Sequence, residues 1–209
     1  MLAVTTINLI PEALGSTQEN LPQVAIGITL GSLALFATDS YLPHIHGVLI
    51  PDKPLTKGMK ATLMMVTAMI IHNFPEGFAT GTAYSGGLTP FGNTVALGIA
   101  LQNMPEGFVV ALPLRSQGYS ARVSFIAGTL SGFVEPICSI AALILVGLFR
   151  VLLPYALAFA GGAMLYVIFD EMVPESHSHG FERSATASFM IGFLLMVIVN
   201  YAVSLIAAG

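Results

Sequence analysis

His72-Asn73-Phe74-Pro75-Glu76-Gly77 (HNFPEG) lies inside a long apolar run, Ala61 to Tyr84. An ionised group at the centre of a membrane helix costs roughly 2.5–3.5 kcal/mol on the insertion scale. A histidine, an amide and a carboxylate in that setting therefore need a reason. His72 and Glu76 stand at i and i+4, so a helix puts them on one face, with Asn73 about 100° round the same rim. Pro75 removes a backbone donor and loosens the helix beside these groups. Nearly the same word returns in the next apolar run, at Gln102-Asn103-Met104-Pro105-Glu106-Gly107. If the two helices face each other, their polar side chains form a cage of nitrogen and oxygen ligands inside hydrocarbon.

The rest of the chain agrees with a membrane setting. Of its 209 residues, 55% are hydrophobic and 9% charged, and the mean hydropathy is +0.83. A soluble domain carries about 25% charged residues. One cysteine, Cys138, excludes a disulfide framework and any cysteine-based zinc cluster. Trp is absent, so interfacial belts fall to Tyr and Phe. No basic patch invites nucleic acid. Met1 opens directly into an apolar stretch with no positive region before it, so no cleavable signal peptide is expected.

Turn signals divide the chain into apolar runs near 1–12, 22–41, 59–84, 91–114, 120–149, 151–173 and 184–208. The expected fold is all-α: a single polytopic transmembrane helix bundle, 1–209, with about seven spans, the first only half a helix long. Gly27 and Gly31, Gly128 and Gly132, and the cluster Gly161-Gly162-Ala163 predict close helix packing. Lys53, Lys57 and Lys60, then Arg115 and Arg122, then Arg183, lie in loops that share one side if the helices alternate; the other side holds Arg150. The positive-inside rule puts the basic loops in the cytoplasm and the C-terminus outside, with the cell (inner) membrane as the location.

A third carboxylate, Glu135, followed by Pro136, is expected midway along the fifth run. A single buried His or Glu is as readily structural as functional. Two copies of N-x-P-E-G and a further Glu-Pro pair shift the balance toward a site. A shared cation would make three intramembrane carboxylates tolerable. One imidazole with carboxylates and amides, and no thiolate, suits a borderline divalent metal such as Zn²⁺, Fe²⁺ or Mn²⁺ rather than Cu⁺, Mg²⁺ or Ca²⁺. Further candidates for the metal path are Glu171, His177 and His179, with Asp170 and Glu175 nearby. His44 and His46 read as residues of a solvated loop, and Asp39 and Glu12 as helix-end residues, with Glu12 placed to draw cations in.

HNFPEG and QNMPEG on consecutive spans, together with FDEMVPESHSHG near the end, resemble the ZIP family of divalent metal transporters, and most of all its bacterial and archaeal GufA-like branch. The resemblance covers the whole chain. It implies a binuclear intramembrane site: His72, Glu76, Gln102 and Glu106 on one metal, Asn73, Asn103 and Glu135 on the second, with Glu76 and Glu106 bridging. The family often has His or an acid where Gln102 and Asn103 stand, which implies a weaker second site here. It also implies eight spans. Against that count, this chain is expected to lack the first helix and the opening half of the next, and Met1 would be a methionine that contributes to the site. The implied activity is transport of divalent transition-metal ions, zinc first, into the cytoplasm by rocking of one helix group against another. The expected partners are the metal ion, the lipid bilayer and, in a homodimer, a second copy of the chain. No organic cofactor is expected.

No G-x-x-x-x-G-K-[ST] motif offers ATP binding. An intramembrane metalloenzyme would need H-E-x-x-H, and His72 is followed by Asn with no second His at i+4. The other alternative is a non-transporting remnant or a metal-sensing membrane protein.

Overall fold

Each apolar run forms helix, because a backbone removed from water must satisfy its own donors and acceptors. The computed structural model describes residues 1–17, 20–49, 57–178 and 180–208. Helix α1 is a π-helical turn, Val4–Leu9, running into Ile10–Ser16. Then follow α2 (Leu21–Leu49), α3 (Lys57–Tyr84), α4 (Pro90–Ser116), α5 (Ala121–Ser131) and α6 (Val134–Leu148). Helix α7 (Arg150–His177) joins a 3₁₀ turn, an α-helix over Leu153–Val167, a π-helical turn at Ile168–Met172 and a last α-turn, Val173–His177. Helix α8 is Glu182–Ala208. There is no strand among the described residues.

The ends follow local chemistry. Thr89 caps α4 by accepting from the Gly92 N–H at 3.0 Å, with Pro90 at the first helical position. Gly87 and Gly118 turn the chain after α3 and α4 at φ 106° and 93°, a region that favours glycine. Among the described residues five segments are long and apolar enough to cross a membrane: Leu21–Tyr41, Pro90–Ser116, Ala121–Leu148, Arg150–His177 and Glu182–Ile206. Helix α3 has the length, 28 residues or about 42 Å at 1.5 Å per residue, but carries the polar word that lowers its hydropathy. Helix α1 ends at Ser16.

Two expectations are corrected. Helix α2 continues to Leu49, so His44 and His46 belong to a helix rather than a loop; the apolar run near 22–41 stops short of them, but nothing breaks the helix there. The fifth run is not one helix. It breaks at Gly132-Phe133, and Glu135 sits in the first turn of α6 instead of mid-helix. Pro136 cannot donate to the Gly132 carbonyl one turn back, and glycine weakens the helix at the same place.

Helix α7 is the most enclosed span; Leu157, Ala158, Ala160, Gly161, Gly162, Ala163 and Met164 are all buried. It packs on α2 through glycines: a side chain on Gly31 or Gly162 would run into the backbone of the facing helix at Phe159 or Ile28. Helices α3 and α6 are joined in the same way, with Gly77 and Gly81 against the backbone at Glu135 and Ser139. Gly128 of α5 faces the Gly107 carbonyl of α4. Where α3 meets α7 the contact is aromatic, with the Phe78 and Phe159 rings edge to face at 5.5 Å.

Candidate metal centre

The helical period puts His72, Asn73 and Glu76 on the buried side of α3, at 6%, 4% and 0% exposure. Pro75 and Pro105 lie inside α3 and α4 without ending them, and neither can donate to the carbonyl four residues back. Helix α4 brings Gln102, Asn103 and Glu106, all half-buried. The break before α6 brings Glu135 to a helix N-terminus, where the backbone dipole favours a carboxylate. The three carboxylates lie within electrostatic reach of one another. Between Lys60 and Arg115 the sequence has no Lys or Arg, and the positive group within electrostatic reach of Glu76 and Glu106 is the Met1 amine.

Amides hold the carboxylates in place. Gln102 Nε2 donates to Glu76 Oε1. Asn103 Nδ2 donates to Glu135 Oε2 at 2.5 Å. Asn73 Nδ2 donates to the Ser131 carbonyl at 3.0 Å, in the last residue of α5. Each of these bonds uses the nitrogen end of an amide. The remaining oxygens, Asn73 Oδ1, Asn103 Oδ1, Glu76 Oε2 and Glu106 Oε2, are buried without a hydrogen-bond partner. Orphaned buried polar atoms are rare and costly, about 1–3 kcal/mol each. Here four of them come from only two helices, α3 and α4. The donor set depends on its amides: among the described residues no three His, Cys, Asp or Glu side chains form a chelating group alone.

All seven residues expected at the cage lie on the adjoining helices α3, α4 and α6; contact or mutual charge links Glu76, Gln102, Asn103, Glu106 and Glu135, while Asn73 bonds the Ser131 carbonyl and His72 meets Glu171. Two path candidates reach it. The Met1 nitrogen donates to Gln102 Oε1 at 2.5 Å, and Glu171 Oε2 lies 3.3 Å from His72 Nδ1, with the Glu171 side chain 32% exposed. His177 is not brought in. Its ring contacts the Val173 carbonyl, the Ser176 hydroxyl and, at 3.4 Å, the Thr186 hydroxyl. His179 lies outside the described residues. The Ser131 carbonyl is a functional group that sequence reading passes over; its one visible signal was the Ser131-Gly132 step ahead of Glu135-Pro136.

The model of the ZIP zinc transporter family matches residues 51–200, which include the whole cage. The chain belongs to the ZIP family. Zinc transporter GufA of Myxococcus xanthus is 45% identical over 179 residues, covering 85% of this chain and 70% of that protein. Zinc transporter ZIP11 of Xenopus tropicalis is 41% identical over 169 residues, 77% of this chain and 50% of its own length. Zinc transporter ZupT of Akkermansia muciniphila is 33% identical over 214 residues, with 90% and 78% covered. This ZIP chain thus spans about half the length of its ZIP11 relative and more of the other two. The family is one of transporters, which sets the metalloenzyme alternative aside.

Proposed function

We propose that this chain carries divalent transition-metal ions, zinc first, across a cell membrane into the cytoplasm. The observation that carries the reading is the set of four orphaned oxygens on α3 and α4, from two amides and two carboxylates, with no lysine or arginine between Lys60 and Arg115 to balance the charge. A divalent cation as cargo supplies what they lack. His72, Glu76, Gln102 and Glu106 would hold one ion. Asn73, Asn103 and Glu135 would hold a second beside it, with Glu76 and Glu106 shared between the two. Gln102 must turn its amide to offer oxygen, since that atom now accepts from Met1.

The surroundings support a direction. Toward the basic loops the cage continues from His72 to the half-exposed Glu171 and on to exposed Asp170. At the opposite end, buried Val4, Val95, Ile99 and Met196 form an apolar layer. We place the basic loops in the cytoplasm, so the state described is open inward and closed outward. Return to an outward-open state would come from rocking of the glycine-joined pair α2–α7 against α3–α6. Metal binding competes with protons for carboxylates and imidazole, so uptake falls as the medium is acidified. In proteoliposomes enclosing a zinc-sensitive dye, the protein should admit zinc and Glu106→Ala should reduce the flux to the protein-free background. Full flux in Glu106→Ala would refute the cage, and zinc binding without any flux would mark a sensor.

A further inference from the structure

A second polar compartment lies on the far side of the apolar layer. It is a cavity of about 350 Å³ between α1, α4 and α8, lined by Asn8, Thr94, Asn200 and the exposed Glu12 and Ser204 together with four apolar residues. Thr94 is eight residues from Gln102 on α4, about 12 Å at 1.5 Å per residue. The layer between is tight: the open face of Gly98 is filled by the Val4 and Met196 side chains, and Val95 and Ile99 are buried beside it. We propose that this cavity is a holding site for a hydrated divalent cation, one apolar layer short of the cage.

The lining chooses the ligand. Thr94 gives its hydroxyl proton to the Pro90 carbonyl at 2.9 Å, and Ser204 gives its own to Tyr201 at 2.7 Å. Both hydroxyls therefore face the cavity chemistry with lone pairs. Asn8 Nδ2 donates to Asn200 Oδ1 at 3.3 Å, which leaves Asn8 Oδ1 to accept and the Asn200 amide nitrogen as a donor outnumbered by the acceptors around it. Glu12 is a carboxylate, an acceptor when ionised. Acceptors in surplus suit a cation whose coordinated waters all point hydrogens outward; an anion would want donors. No basic side chain is among the lining residues. The cavity also has the size. Six waters occupy about 180 Å³ at about 30 Å³ each, and the volume leaves room for them around an ion. The lining has no imidazole or thiol with which to strip that water, unlike the cage with His72. Asn8 is 7% exposed and belongs to the π-helical turn of α1, a distortion that recurs at functional sites.

The direction of travel assumed here rests on the transport reading; occupancy of the cavity does not. Hexaamminecobalt(III) separates the two. It has the size and hydrogen-bonding outline of a hexahydrated ion and cannot shed its ligands to enter the cage. Calorimetric titration into the full chain in nanodiscs should show one weak site. Glu12→Gln should weaken it about tenfold, the lower end of what one-signed charge does for local ion concentration. Glu12→Asp should keep it, Asn8→Leu should weaken it, and Glu106→Ala should leave it in place. The same complex should inhibit zinc uptake competitively, and Glu12→Gln should raise the KM for zinc more than it lowers kcat. Equal binding by wild type and Glu12→Gln, or no binding by wild type while zinc still moves, overturns the holding site and leaves transport standing. Binding at Glu12 with no zinc flux from any preparation keeps the holding site and overturns transport.

Discussion

Asn103 shows how much one atom decides at this site. Its Nδ2 serves Glu135 at 2.5 Å while its Oδ1 is left without a partner. Asn103→Asp removes the donor and sets two like charges side by side, a change that costs stability when no metal is present and repays it when one is. The expected result is a lower Tm than wild type in chelator, and a larger rise than wild type on adding zinc, measured by scanning fluorimetry in detergent. Asn73→Leu tests the neighbouring amide. It strips the Ser131 carbonyl of its donor, at about 1–3 kcal/mol, and removes one oxygen from the cage, so Tm and zinc affinity should fall together.

At the scale of elements, two glycine seams set the distances that the site needs. Gly77 lies one residue past Glu76 and touches the backbone of Glu135, so the same contact that packs α3 on α6 brings two carboxylates together. Gly77→Val must push α6 away. Overpacking costs about 1–3 kcal/mol, and the variant should keep its helicity by circular dichroism while zinc binding drops at least tenfold. This is also where the sequence was least legible. The paired HNFPEG and QNMPEG words point to a shared site because polar residues in an apolar run need a partner, and that argument is local. The break at Gly132-Phe133 is hard to read because both sides are apolar, and glycine and proline of the kind that mark it also sit inside the unbroken helices α3 and α4. The Ser131 carbonyl stayed hidden for a related reason: every residue has a carbonyl, and a break selects which one becomes free. The length of α2 beyond the apolar run, and the distance of His177 from the cage, depend on tertiary placement that spacing does not encode.

Over the whole molecule the contacts divide unevenly. Glycine seams lock α2 to α7 and α3 to α6, whereas α3 and α7 meet through side chains, including the Phe78 and Phe159 rings and the His72–Glu171 contact. Backbone-to-backbone contact resists sliding; an edge-to-face ring pair tolerates it. Transport by movement of one pair against the other should therefore shear this aromatic contact. In a Cys138→Ser background, Phe78→Cys with Phe159→Cys bridged by a short bifunctional thiosulfonate should stop zinc uptake, and reductant should restore it. Unchanged flux after complete bridging would place the motion elsewhere.

The π-helical turn at Ile168–Met172 carries Asp170 and Glu171. Such a turn amounts to one surplus residue in an otherwise regular helix, and a surplus residue can migrate. Passing it along α7 by a single peptide unit would swing the acids through about 100°, carrying Glu171 off His72 with no hinge and little displacement of the helix ends. Excising Phe169 should erase the surplus, leaving a straighter and more heat-resistant α7 whose vesicles load zinc onto the protein but discharge it slowly.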